Sequence, residues 1–166
     1  MKQFLGGLLA FVLLVGCGYL PASKQARKVI GEKLYVEVIV PLEDPENAVI
    51  IKDATRNAVI TRFHASLVPL SKAKTRLMVS MAGIGFTPLQ YDENGYIIVY
   101  RTVVNIQVTR TSKDETKTYS SRGNFDFTIE PNAVITDTQR FDAISKASLK
   151  ALDSFVAQVG AEGTQL

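Results

Sequence analysis

Apolar and polar positions alternate along most of the chain. Leu34, Val36, Val38 and Val40 interleave with Tyr35, Glu37 and Ile39, a period of two that predicts a strand ended by Pro41. Asp44 suits a helix N-cap, Pro45 the first helical position and Glu46 the first turn, so a helix is expected from there to about Phe63. Its apolar residues split over two sides. Ile50, Ile51, Ala54 and Ala58 share one, while Val49, Ile60, Phe63 and Leu67 lie nearly opposite. A surface helix shows a single apolar face, so this one is expected to be wedged between the sheet and a second helix, the alternative being that its second side meets a partner. Arg76 to Met81 predicts the next strand, and Ala82 to Gly95 a loop that closes on the turn Asp92-Glu93-Asn94-Gly95.

Two long strands follow. Over Tyr96 to Thr111, Ile98, Tyr100, Val104, Ile106 and Val108 share a face, and Arg101, Asn105, Gln107 and Thr109 share the other. Over Lys117 to Glu130 the inward set is Tyr119, Phe125, Phe127 and Ile129, and the outward set is Arg122, Asn124, Asp126 and Thr128. Thr136 and Gln139 fit a capping box that opens a final helix. Phe141, Ile144, Ser148, Ala151, Leu152, Phe155 and Val159 fall on one side of it, and Gly160 stops it. The order strand, helix, three strands, helix predicts an α+β two-layer sandwich. It has a four-stranded, mostly antiparallel sheet with two helices on one face. The open face carries Glu37, Arg76, Arg101, Asn105, Gln107, Arg122 and Asn124, studded with Val99 and Val103.

The chain begins differently. Lys2 precedes an almost wholly apolar run from Phe4 to Val15, too short to span a bilayer, which needs about 20 apolar residues. This is the build of a secretory signal. It ends in Leu14-Val15-Gly16-Cys17, which resembles the lipobox of bacterial lipoproteins, and Cys17 is the only cysteine in the sequence. The resemblance implies cleavage of residues 1–16 and covalent acyl chains on Cys17, the palmitate of a lipoprotein among them. Three chains on one residue attach a protein for good, whereas one chain binds only marginally. Gly18 rather than Asp follows the cysteine, which by the same resemblance points to the outer membrane. Residues 17–33 are expected to form the lipidated N-terminus and a tether, 34–160 the sandwich domain and 161–166 a disordered tail.

Composition adds exclusions. Loss of Lys2 with the signal leaves 18 bases against 16 acids, with no basic run of the kind that binds nucleic acid. His64 has no second histidine or free cysteine beside it to hold a metal, and reads as a capping or solvent-facing residue. No Gly-x-Ser-x-Gly, phosphate loop or paired-carboxylate spacing occurs. The reading is a protein that is not an enzyme, with no metal and no cofactor beyond the acyl chains.

The lipobox with Cys17-Gly18-Tyr19, the order of elements, Thr87-Pro88-Leu89-Gln90-Tyr91-Asp92, the strand Tyr100-Arg101-Thr102-Val103-Val104 and the returning Tyr119-Ser120-Ser121-Arg122 together resemble the LptE family. That family supplies the lipoprotein half of the outer-membrane lipopolysaccharide translocon. The resemblance implies a lipid-anchored protein on the periplasmic face of the outer membrane. It implies a plug and assembly partner inside an LptD-type β-barrel, and lipopolysaccharide as ligand. Arg122 matches a position where the family carries a base, with Arg101 and Lys117 assisting. Asp92-Glu93 stands where some relatives carry a base, which argues against a phosphate contact on that turn. The alternative is a lipid-anchored, periplasm-facing scaffold or binding protein of another envelope-assembly system.

Overall fold

The computed structural model describes residues 22–39, 45–113 and 115–164. The signal, Cys17 and Asp44 lie outside them. Helix α1 spans Ala22–Ile30, strand β1 Lys33–Ile39, helix α2 Pro45–Thr61 and the short strand β2 Ser66–Leu67. After a single turn at Leu70–Lys72 come β3 at Thr75–Tyr91, β4 at Ile97–Ser112, β5 at Glu115–Thr128 and helix α3 at Asp137–Gly163. No described helix is long and apolar enough to cross a membrane.

The sheet has five strands in the order β2-β1-β3-β4-β5, one more than the pattern predicts. It is mixed, since β1 runs parallel to both β2 and β3 while β3, β4 and β5 are antiparallel. Two residues of β2 are too few to show a period, which is why the sequence hides it.

The expected loop 82–95 is strand as far as Tyr91. Gly83, Gly85 and Pro88 are poor strand formers, but β1 stops opposite Ser80 at Ile39. Beyond that point no described strand pairs with β3 on that side, and a proline is tolerated where its missing N–H costs no ladder bond. The register slips between Met81 and Gly83 and again around Leu89, so bulges absorb the irregular residues while β4 continues to pair. The expected turn is present. Gly95 sits at φ 84°, and Asp92 Oδ1 accepts from the amides of Asn94 at 2.9 Å and Tyr96 at 2.8 Å.

The expected tether holds α1. Gln25, Ala26, Val29 and Ile30 are buried and follow a helical stripe, while Lys24, Arg27 and Lys28 face out. Gly31, at φ 84°, ends the helix, its amide donating to the Arg27 carbonyl at 2.8 Å. The helix lies against the end of α3, close enough that a Cβ on Gly163 would stand 2.4 Å from the Gln25 carbonyl oxygen. The expected tail is likewise helical to Gly163, and only residues 165–166 of it fall outside the description.

The core lies between the sheet and the three helices. Leu34, Leu77, Val79, Val104, Ile106 and Val108 meet Ile144, Leu152 and Phe155 of α3 and Ile51 and Val59 of α2. Phe155 sits at its centre, edge-on to Phe63 and to Tyr119 with ring centroids 5.9 and 5.3 Å away. The capping box forms as expected, Thr136 and Gln139 exchanging side-chain and backbone bonds, and Lys146 pairs with Asp142 at 2.7 Å. Phe141 is the exception to the α3 stripe. It stands 58% exposed, because the first turns of the helix run past the buried centre. The wedge expected for α2 is also corrected. Ile50, Ile51, Ala54, Ala58 and Val59 are buried, but Val49 and Ile60 are each 57% exposed, and Phe63 reaches the core only beyond the helix end.

Candidate functional site

Strict alternation along β4 and β5 leaves one sheet face uncovered. The register sets Arg101 opposite Asp126, Val103 opposite Asn124, Asn105 opposite Arg122 and Gln107 opposite Ser120. Toward the closing turn, hydroxyl pairs continue the ladder: Thr109 meets Thr118 at 3.2 Å and Thr111 meets Thr116 at 3.3 Å.

Arg101 and Arg122 share this face and differ in state. Arg101 grips Asp126 with two parallel bonds, Nε to Oδ1 and a terminal nitrogen to Oδ2, both 2.7 Å. These hydrogen bonds hold the Asp126 carboxyl below, and the Arg101 guanidinium above, their ordinary values. Arg122 is exposed and, among the described residues, has no carboxylate partner. It borders an open hollow of about 280 Å³ whose polar rim on this face is Asn105, Gln107 and Ser120. A guanidinium beside amide and hydroxyl groups suits an oxyanion, which accepts from all of them.

Lys117 is not part of this face. Its parity is that of Tyr119, and its Nζ lies 2.8 Å from Glu162 Oε2 near the end of α3. There it joins a cluster that sequence reasoning missed. Arg110 continues the inward parity of Ile106 and Val108 along β4, and its side chain is only 4% exposed. It donates to Glu162 Oε1 at 3.0 Å and to the Val29 carbonyl at 3.3 Å, and lies 3.1 Å from Glu115 Oε2. Tyr119 Oη donates to Glu162 Oε2 at 2.7 Å. One cluster thus ties α1, β4, β5 and α3.

Burial opposes ionisation of Glu162, but bonds from Lys117 and Tyr119 and the Arg110 charge outweigh it and hold the carboxyl below its ordinary value. Burial, with the bond to Glu162, pushes the Tyr119 phenol up to about 12. An alkaline absorbance titration should therefore show a late phenolate near pH 12 that Tyr119→Phe removes. If that variant leaves the late step in place, Tyr119 is not its source. The unfolded phenol ionises near 10, so this group's contribution to stability is lost as pH rises between 10 and about 12.

His64 is exposed at φ 50° in the turn after α2. Among the described residues, no three His, Cys, Asp or Glu side chains gather as metal ligands.

The described residues thus form an α+β sandwich, a layer of helices over one face of a mixed sheet, whose polar second face carries Arg122 without a carboxylate partner. A family model described as "LptE: Lipopolysaccharide-assembly" matches residues 35–159. The chain belongs to that family, a non-enzymatic family of envelope lipoproteins with a role in lipopolysaccharide assembly. No curated protein matches the sequence. Among solved structures, rare lipoprotein B from Shewanella oneidensis is similar at 9% identity and TM-score 0.52, over 81% of this chain and 98% of that one. A lipoprotein from Caulobacter crescentus CB15 aligns at 10% identity and TM-score 0.49, over 88% of this chain and 97% of that one. At such identities the first of these supports the fold alone.

Proposed function

We propose that this chain is an outer-membrane lipoprotein, acylated on Cys17, that plugs an LptD-type β-barrel and binds lipopolysaccharide through Arg122. Family membership supports the setting, and the exposed Arg122 beside its polar hollow is the observation that carries the site. A wide barrel has a polar lumen, and a polar sheet face is the surface such a lumen accepts. Lipopolysaccharide carries phosphates, which take an arginine fork well. Arg101 lines the same face but is already occupied by Asp126, so it supports the site through its position rather than as the first contact. Lys117, on the other face, is left out of it.

Two measurements test the reading. Detergent-solubilised outer membrane should yield this lipoprotein attached to a large β-barrel. Arg122→Glu should weaken lipopolysaccharide binding about tenfold or more with the melting temperature unchanged, because a charge-assisted contact contributes roughly 1.5–3 kcal/mol. Equal affinity of the two forms would remove Arg122 from the site. Recovery without a barrel would favour the scaffold of another envelope-assembly system.

A further inference from the structure

Charge is not spread evenly over the sandwich. Its two ends differ in sign. At one end stand the starts of β1, β3 and β5, the end of β4 and the whole of α1. Lys24 and Lys28 project from α1, and Lys33, Lys72, Lys74 and Lys113 from the strand ends and turns, all six exposed.

Backbone contacts bring them to one surface. The Lys74 amide donates to the Lys33 carbonyl at 3.1 Å, Thr75 stands opposite Ser112, and Thr75 Oγ1 donates to the Ile30 carbonyl at 2.7 Å. Lys74 and Lys113 therefore lie one step beyond a paired rung, beside the end of α1. The described acids at this end are spent internally: Glu32 on Arg27, Glu115 on Arg110 and Glu162 on Arg110 and Lys117. Asp114, next to Lys113 in sequence, offsets one of the six charges at most. The opposite end carries Asp92 and Glu93 in the β3–β4 turn, Glu130 before α3 and Asp137 in its first turn.

The second observation is where the chain enters. Only residues 18–21 separate Cys17 from Ala22, the start of α1. Five steps of fully extended chain reach about 17 Å. A membrane anchor on Cys17 would hold the lysine-bearing end, and no other, against the lipid surface. Lysines there add attraction to anionic headgroups within a screening length.

We propose that the lysine end formed by α1 and the adjoining strand termini is a docking surface for the anionic headgroups of a phospholipid membrane. In the envelope this rests on the acylation of Cys17, but the surface itself does not, so the test omits the acyl chains.

The test uses the mature chain from residue 17 with Cys17→Ser, which keeps every described element. Its partition is measured onto vesicles of equal parts phosphatidylglycerol and phosphatidylcholine, and onto phosphatidylcholine alone. Binding should require the anionic lipid. It should fall at least about tenfold when Lys24, Lys28, Lys74 and Lys113 are all changed to Glu, and stay within about twofold in Arg140→Glu, a charge reversal of an exposed base at the opposite end. About 1 M salt, where the Debye length is about 3 Å, should abolish it. Equal binding to neutral vesicles, equal loss in Arg140→Glu, or binding that survives high salt in the unsubstituted chain would each overturn the proposal. The salt arm does not depend on the folding of the fourfold variant. Mass spectrometry of the native N-terminus tests the anchor separately, and an unmodified Cys17 would remove the acylation reading without touching the vesicle result.

Discussion

Gly123→Ala should cost about 3 kcal/mol, the upper range for overpacking a filled core, or more. Gly123 faces inward on β5 where α3 crosses the sheet. A Cβ built on it would stand 2.1 Å from the Ala147 carbonyl oxygen and 2.3 Å from the Ala151 amide nitrogen. Both atoms are backbone, so no side chain can swing aside. The whole helix would have to lift, and with it the contacts of Ile144, Leu152 and Phe155. The small residues on the helix side, Ala147, Ser148 and Ala151, are part of the same close approach. Gly85 on β3 is the control, since nothing lies within 4 Å of its Cβ position, and Gly85→Ala should change stability by no more than about 0.5 kcal/mol. Urea unfolding of the two variants decides the matter. Equal midpoints would mean that α3 does not sit this tightly on β5.

Arg110→Met should destabilise by about 3 kcal/mol, toward the lower end for breaking a buried ion pair by removing one partner. Glu162 keeps Lys117 and Tyr119, which is why the loss stays there. The Val29 carbonyl loses its donor at the same time, so α1 should loosen first. Hydrogen exchange of the α1 amides should rise more than that of β4, and uniform acceleration would argue against a local pin. The acid side of the cluster gives a pH signature. Glu162 titrates below its ordinary value of 4.5 in the folded protein. Its contribution is therefore present above that value and lost as pH falls through the folded one. The stability gap between the native protein and Glu162→Gln should accordingly narrow in acid. A gap that does not change with pH would place the effect of Glu162 in packing rather than charge.

The long strands were legible because each has one buried and one open face, and alternation over that many residues has no competing explanation. The same parity placed Arg101 and Arg122 on the open face. The capping box and the Asp-Glu-Asn-Gly turn were legible because each is a local arrangement whose chemistry sits within four residues. What escaped depends on distant partners. β3 runs through two glycines and a proline because β4 supplies its ladder along the whole stretch. The nine residues of α1 carry three bases and too little apolar length to declare a helix, and the α3 surface decides them. Arg110 defied the expectation that arginines face water, since its partner Glu162 lies on a segment the pattern assigned to a tail. Lys117 was named as assisting Arg122 through the family resemblance, although five positions apart on a strand means opposite faces.

The contact between the Gln25 carbonyl and Gly163 joins two points almost at the opposite termini of the described chain. The seat of α1 therefore exists only once α3 has formed as far as Gly163. The β3–β4–β5 meander can zip through adjacent hairpins as soon as it exists, but its inner face stays bare until α3 is complete. The parallel place of β1 and the seat of α1 wait longer still, for partners that lie far along the sequence. Such non-local closure is slower than the local contacts of a helical bundle, which form in microseconds to milliseconds. A chain delivered N-terminus first would hold α1 without a seat until Gly163 had arrived.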